Sequence, residues 1–104
     1  MDHAPLGPAL AARLRGMFPP GEVAAAIALL ETRCGSGLPL IEAQGESGIE
    51  RVRCAALKLS DGSLVKLGEA VGVANQDWRD VLVAAGFAAS LQAHRDWLQH
   101  EDGG

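Results

Sequence analysis

Asp77, Trp78, Arg79 and Asp80 stand together in a chain otherwise thin in reactive side chains, and carboxylates beside an arginine are the material of acid–base sites. Their spacing points elsewhere. Acids in the first turn of a helix complement its dipole, and Trp78 one position on is placed to pack inward. Carboxylates at i and i+3 around an exposed arginine make a docking surface more readily than an active centre. Asp77, Arg79 and Asp80 are therefore the candidate interaction surface, and no catalytic role is expected of them.

The other ligand-type residues are scattered. Zinc sites need clustered ligands, typically two cysteines two to four residues apart, and Cys34, Cys54, His3, His94 and His100 contain no such pair. His94 and His100 do not fall on one helical face, and each histidine is expected at the surface or partly buried. In a reducing compartment the two cysteines read as small buried apolar groups. Nucleophilic catalysis would need a recognised elbow or a Cys/His signature, and neither is present. The stretch Gly45-Glu46-Ser47-Gly48 lacks the strand before it and the Lys-Ser/Thr after it that a phosphate loop requires. No catalytic residue, metal or cofactor is expected.

One sharper pattern lies between Leu67 and Leu82. A helix-turn-helix needs a small residue in its first helix, a glycine at the turn four residues on, a hydrophobic residue after it and apolar positions in the second helix; Gly68, Gly72, Val73, Trp78 and Val81 have that spacing. Asn75, Gln76 and Arg79 would then read base edges. The adjacent Asp77 and Asp80 would repel phosphates. The chain as a whole carries a formal charge of −4, with basic residues scattered singly or in pairs. A nucleic-acid binder shows a basic patch, so nucleic acid is the less favoured partner, and a protein partner or a second copy of the chain is the expectation.

These residues need elements to hold them. The 104 residues suit one domain, and 48% are apolar, with alanine and leucine abundant and aromatics few, which favours helices packed closely through small side chains. A first helix is predicted over Ala9 to Met17. A second starts near Pro20, with Val23, Ile27, Leu30 and Cys34 as its buried stripe and Gly35 as its stop. The stretch 35–47 reads as a loop, with a short extended piece at Leu38, Leu40 and Ile41. Ser47 to Glu50 has the spacing of a capping box opening a third helix, whose apolar stripe is Ile49, Val52, Ala56 and Leu59, ended by Ser60-Asp61-Gly62.

A fourth helix runs from Ser63 through Leu64, Leu67, Val71 and Ala74. A fifth is capped by Asp77 and carries Val81, Leu82 and Ala85. The sixth spans Ala89 to His100, with Leu91, Arg95 and Leu98 on one face and Trp97 beside it. The ends, 1–6 and 101–104, are expected to be disordered. The fold class is all-α: a compact irregular bundle of five or six short helices, with Trp78 and Phe87 anchoring the C-terminal part of the core. The longest uncharged, mainly apolar run, Val81 to Ala93, falls short of the roughly 20 residues a membrane span requires, and no basic, leucine-rich leader opens the chain, so no membrane role and a cytoplasmic location are expected.

The segment Val52 to Gly62, containing Leu57-Lys58-Leu59-Ser60-Asp61-Gly62, and the segment Asp77 to Ala88 together resemble a group of short uncharacterised bacterial proteins. Their hallmark is an LKLS-x-G turn followed by DWRD or DYRD leading into a helix. The resemblance implies a bacterial, cytoplasmic protein and brings no site residues with it. The reading that follows from the residues is a protein-interaction or regulatory module without catalytic activity, with a helix-turn-helix DNA-binding protein as the alternative.

Overall fold

The computed structural model describes residues 5–35, 37–39, 41–90 and 92–99. Helix α1 (Pro8–Met17) leads through a 3-10 turn (Pro20–Glu22) into α2 (Val23–Arg33); a second 3-10 turn (Ile41–Gln44) leads into α3 (Gly45–Ser60), followed by α4 (Leu64–Ala85) and α5 (Ala93–Gln99). Among the described residues there is no strand. The expected all-α bundle is formed, from five helices among the described residues.

Helix α3 is its axis. Val52, Arg53, Cys54, Ala55, Ala56 and Leu57 are consecutive and all buried, so the middle of this helix is covered on every side rather than along the one stripe its periodicity suggests. Small residues make that possible: Cys54, Ala55 and Ala56 let neighbouring helices approach its backbone closely. Around it pack Leu10, Leu14 and Phe18 from α1 and its end, Leu30 and Cys34 from α2 and its end, and Leu67, Val71, Val81 and Leu82 from α4, in one continuous apolar core.

The turn from α3 to α4 depends on Gly62. Its φ is +79°, and an added Cβ would lie 2.6 Å from the Met17 carbonyl oxygen, so neither the backbone conformation nor the space admits a side chain. Ser63 then caps α4 by accepting from the Lys66 N–H at 3.2 Å. Fourteen residues after Ser63, α4 breaks: Asp77 has extended backbone (φ −161°, ψ 101°), and its Oδ1 accepts from the Arg79 N–H at 3.1 Å. The two predicted helices thus meet at a capping residue with no loop between them.

Several boundaries differ from expectation. The 35–47 loop is shorter than predicted, because Ile41–Gln44 forms a 3-10 turn and α3 begins at Gly45, whose φ of +67° only glycine adopts readily. Ser47 therefore lies inside the helix and forms no capping box. Leu38 and Pro39 lie in a turn rather than an extended piece, and Leu40 is outside the described residues. Helix α5 starts at Ala93 instead of Ala89; Leu91 and His100 also lie outside the described residues, as do the predicted disordered ends 1–4 and 101–104. Residues 5–6 are tied down, for the Leu6 N–H donates to Glu31 Oε2 at 3.0 Å.

Candidate functional site

Several polar side chains of this bundle are directed at main-chain carbonyls. Arg53 Nε donates to the Cys34 oxygen at 2.7 Å and Asn75 Nδ2 to the Arg33 oxygen at 2.8 Å, so two side chains satisfy the exposed carbonyls at the C-terminus of α2. Lys58 Nζ does the same for Ala85 at the end of α4, at 2.8 Å, with its ammonium 5.0 Å from the Phe87 ring centre. Arg51 Nη2 reaches the Phe87 oxygen at 2.7 Å and those of Ala88 and Ser90 at 3.4 Å. Arg13 donates to the Trp97 oxygen at 2.8 Å and lies over its ring, and the Trp78 indole N–H donates to the Pro39 oxygen at 2.7 Å. These contacts tie loops and helix ends to the core.

Glu50 takes no part in them. The first turns of α3 and the stretch from Pro5 to Leu10 enclose a cleft of about 500 Å³; Pro5, Gly7 and Leu10 form one side, and Ser47, Ile49, Glu50 and Arg53 the other. The Glu50 side chain is 34% exposed there, and its Oε1 lies 3.7 Å from His94 Nε2, too far for a hydrogen bond. Its other oxygen is turned toward Gly7, where a side chain would begin 3.4 Å away.

Behind Glu50, His94 is wholly buried, set edge-on to Phe87 with ring centres 6.5 Å apart. Neither ring nitrogen has a hydrogen-bond partner among the described residues. Burial holds the imidazole below its ordinary pKa against the opposing pull of Glu50, and Arg95 and Arg51 push it the same way as burial. The ring is therefore neutral near pH 7, and being covered it cannot pass a proton to anything in the cleft. The expectation of a surface or partly buried histidine is corrected: α5 turns His94, with Ala93, Trp97 and Leu98, toward the core, and Arg95 outward.

The residues singled out by sequence are placed as follows. Asp77, Arg79 and Asp80 lie at the break in α4, where Arg79 Nε and Nη2 donate to the two oxygens of Asp77 at 2.9 and 3.0 Å. That guanidinium, and then the Arg79 backbone N–H, hold the Asp77 carboxyl below its ordinary range. Asp80 is exposed. The helix-turn-helix geometry is not formed: Gly72 lies in unbroken helix, the interruption falls five residues later at Asp77, and nothing approaches within 4 Å of a side chain added at Gly68 or Gly72. Asn75 is held by Arg33 and by its own helix at Val71, while Gln76 is exposed. The outer side of α4 also exposes Val65, Val73 and Val83.

Cys34 and Cys54 are free thiols buried in the core, as their isolation suggests. Burial pushes Cys34 up to about 12 and raises Cys54 also, so neither is a nucleophile. Among the described residues no three His, Cys, Asp or Glu gather as a metal site, and no helix is long and apolar enough to cross a membrane. The cleft is not visible in the sequence because Glu50 reads as a capping residue and Arg53, with Arg51, as one of the scattered basic pairs. The available signal was the spacing of Ser47, Glu50 and Arg53 at i, i+3 and i+6, which puts them along one side of a helix. No family model, curated protein or solved structure matches this chain.

Proposed function

We propose that this chain is a non-catalytic protein-interaction module of the bacterial cytoplasm and that its partner seats in the cleft between the 5–10 stretch and α3. The observation that carries the reading is Glu50: a partly exposed carboxylate on a concave, largely apolar wall, without a hydrogen-bond donor among the described residues, while the neighbouring arginines Arg51 and Arg53 are committed to carbonyls. Concave apolar surface with a few placed polar groups is the ordinary form of a recognition site. Asp77 and Arg79 neutralise one another and offer a partner less.

Its location and origin are supported only by the resemblance of 52–62 and 77–88 to short bacterial proteins. The test is capture from a lysate of the source organism by immobilised wild type and by Glu50→Lys, side by side. A stoichiometric protein held by the first and lost by the second supports the reading. Partners retained equally by both, or nucleic acid as the only captured species, would overturn it.

A further inference from the structure

The charge in the cleft selects its occupant. We propose that the cleft takes an alkylammonium or guanidinium head group, supplied by a lysine or arginine side chain of the partner protein, with Glu50 as its counter-charge. This inference rests on the interaction-module reading, which it makes specific.

The geometry supports it from three sides. Glu50 Oε1 faces a wholly buried imidazole whose nitrogens have no hydrogen-bond partner among the described residues. Of the cations on the same helix, Arg51 is directed to the 87–90 carbonyls, and Arg53, part of the cleft wall, donates to those of Cys34 and Pro5. The carboxylate is thus flanked by a neutral ring, and its ability to accept hydrogen bonds is left to whatever enters the cleft. Ile49 and Pro5 supply the apolar sides along which the methylene stem of a lysine or arginine lies when its head is held at a charge. An anionic head would be repelled by Glu50, and the net charge of −4 draws cations to the molecule as a whole.

The experiment titrates the intact ¹⁵N-labelled chain with three capped amino acids: N-acetyl-lysine N-methylamide, its arginine counterpart and its uncharged norleucine counterpart. Saturable amide shifts are expected in 6–10 and 47–53. Lysine or arginine should bind at least about tenfold tighter than norleucine, the size of one charge-assisted hydrogen bond. Glu50→Gln should remove that preference while leaving the circular dichroism unchanged. Gly7→Val is the second variant: the backbone at Gly7 is ordinary (φ −64°), so the domain folds, and the added side chain fills the space beside Glu50 without altering its charge, abolishing binding.

Equal binding of norleucine, shifts centred elsewhere, or full binding by Glu50→Gln would overturn the cationic occupant. The two readings fail separately. If a protein is captured in a Glu50-dependent way but none of the capped cations binds, the module stands and this occupant falls. If the capped cations bind and no protein is captured, the cleft serves a free small amine, and both the partner-supplied side chain and the module reading fall.

Discussion

Replacing His94 by leucine should leave the domain about as stable as the wild type at neutral pH and remove part of its sensitivity to acid. The neutral imidazole carries one N–H, and neither ring nitrogen has a partner among the described residues. A buried donor left in that state costs about 1 to 3 kcal/mol. Leucine relieves this, loses the edge contact with Phe87, worth about 0.5 to 1.5 kcal/mol, and packs less closely in a site shaped for a ring. The net change is expected within about 1 kcal/mol of zero. His94→Ala, which leaves a cavity, should cost more, about 2 to 4 kcal/mol.

The pH dependence has a definite sign. Burial is the main cause of a folded-state pKa below the ordinary 6.5, with Arg95 and Arg51 adding to it and Glu50 opposing. The unfolded chain therefore takes up the proton first as pH falls. The contribution is whole above 6.5 and is lost as pH drops through the lowered folded value. Urea unfolding followed by tryptophan fluorescence at about pH 7.5 and about pH 5 measures both effects. Wild type should lose more stability between the two than His94→Leu. The reasoning is refuted if His94→Leu loses more than about 3 kcal/mol at the higher pH, since an unpartnered ring cannot be worth that much beyond its packing.

Three further outcomes follow from the contacts. Arg51→Met should cost about 1.5 to 3 kcal/mol, the worth of hydrogen bonds from a charged donor, and should speed amide hydrogen exchange in 87–90; unchanged exchange there would show that Arg51 does not hold that loop. Gly62→Ala should cost at least about 2 kcal/mol, from a left-handed backbone and a close approach to the Met17 carbonyl together, with the thermal midpoint as readout. Trp78→Phe keeps most of the ring and loses the hydrogen bond to Pro39; a loss of about 1 kcal/mol is expected, and a loss as large as that of Trp78→Ala would mean that the bond matters more than the packing.

The sequence made the helices legible wherever a local signal fixes them. Asp77 before Trp78 is a capping residue in the sequence and in the structure, and Ser60-Asp61-Gly62 ends α3 where the left-handed backbone of Asp61 and Gly62 requires a break. The stripe of Leu67, Val71 and Ala74 is buried as its period implies. What was not legible depends on contacts distant in the chain. Periodicity offers one buried side for α3, and only the packing of α1, α2, α4 and α5 around it shows that Arg53 and Cys54 are covered too.

The start of α3 was misplaced because Ser47 and Glu50 have capping-box spacing, whereas the positive φ of Gly45 begins the helix earlier. Gly68 and Gly72 mimic a turn motif, but a glycine within a well-packed helix only lowers propensity and does not break it. His94 and Glu50 are 44 positions apart and meet only because α5 folds back onto α3, so no window of sequence joins them. The carbonyl contacts of Arg13, Arg51, Arg53 and Trp78 span between 19 and 84 positions and were equally hidden.

The most direct test of the cleft as the binding surface is hydrogen exchange of the domain with and without the purified captured partner. Protection is expected to concentrate in 6–10 and 45–53, and to be absent when Glu50→Lys is mixed with the same partner. Protection confined instead to the outer side of α4, around Val65, Val73 and Val83, with Glu50→Lys binding as the wild type does, would contradict the account.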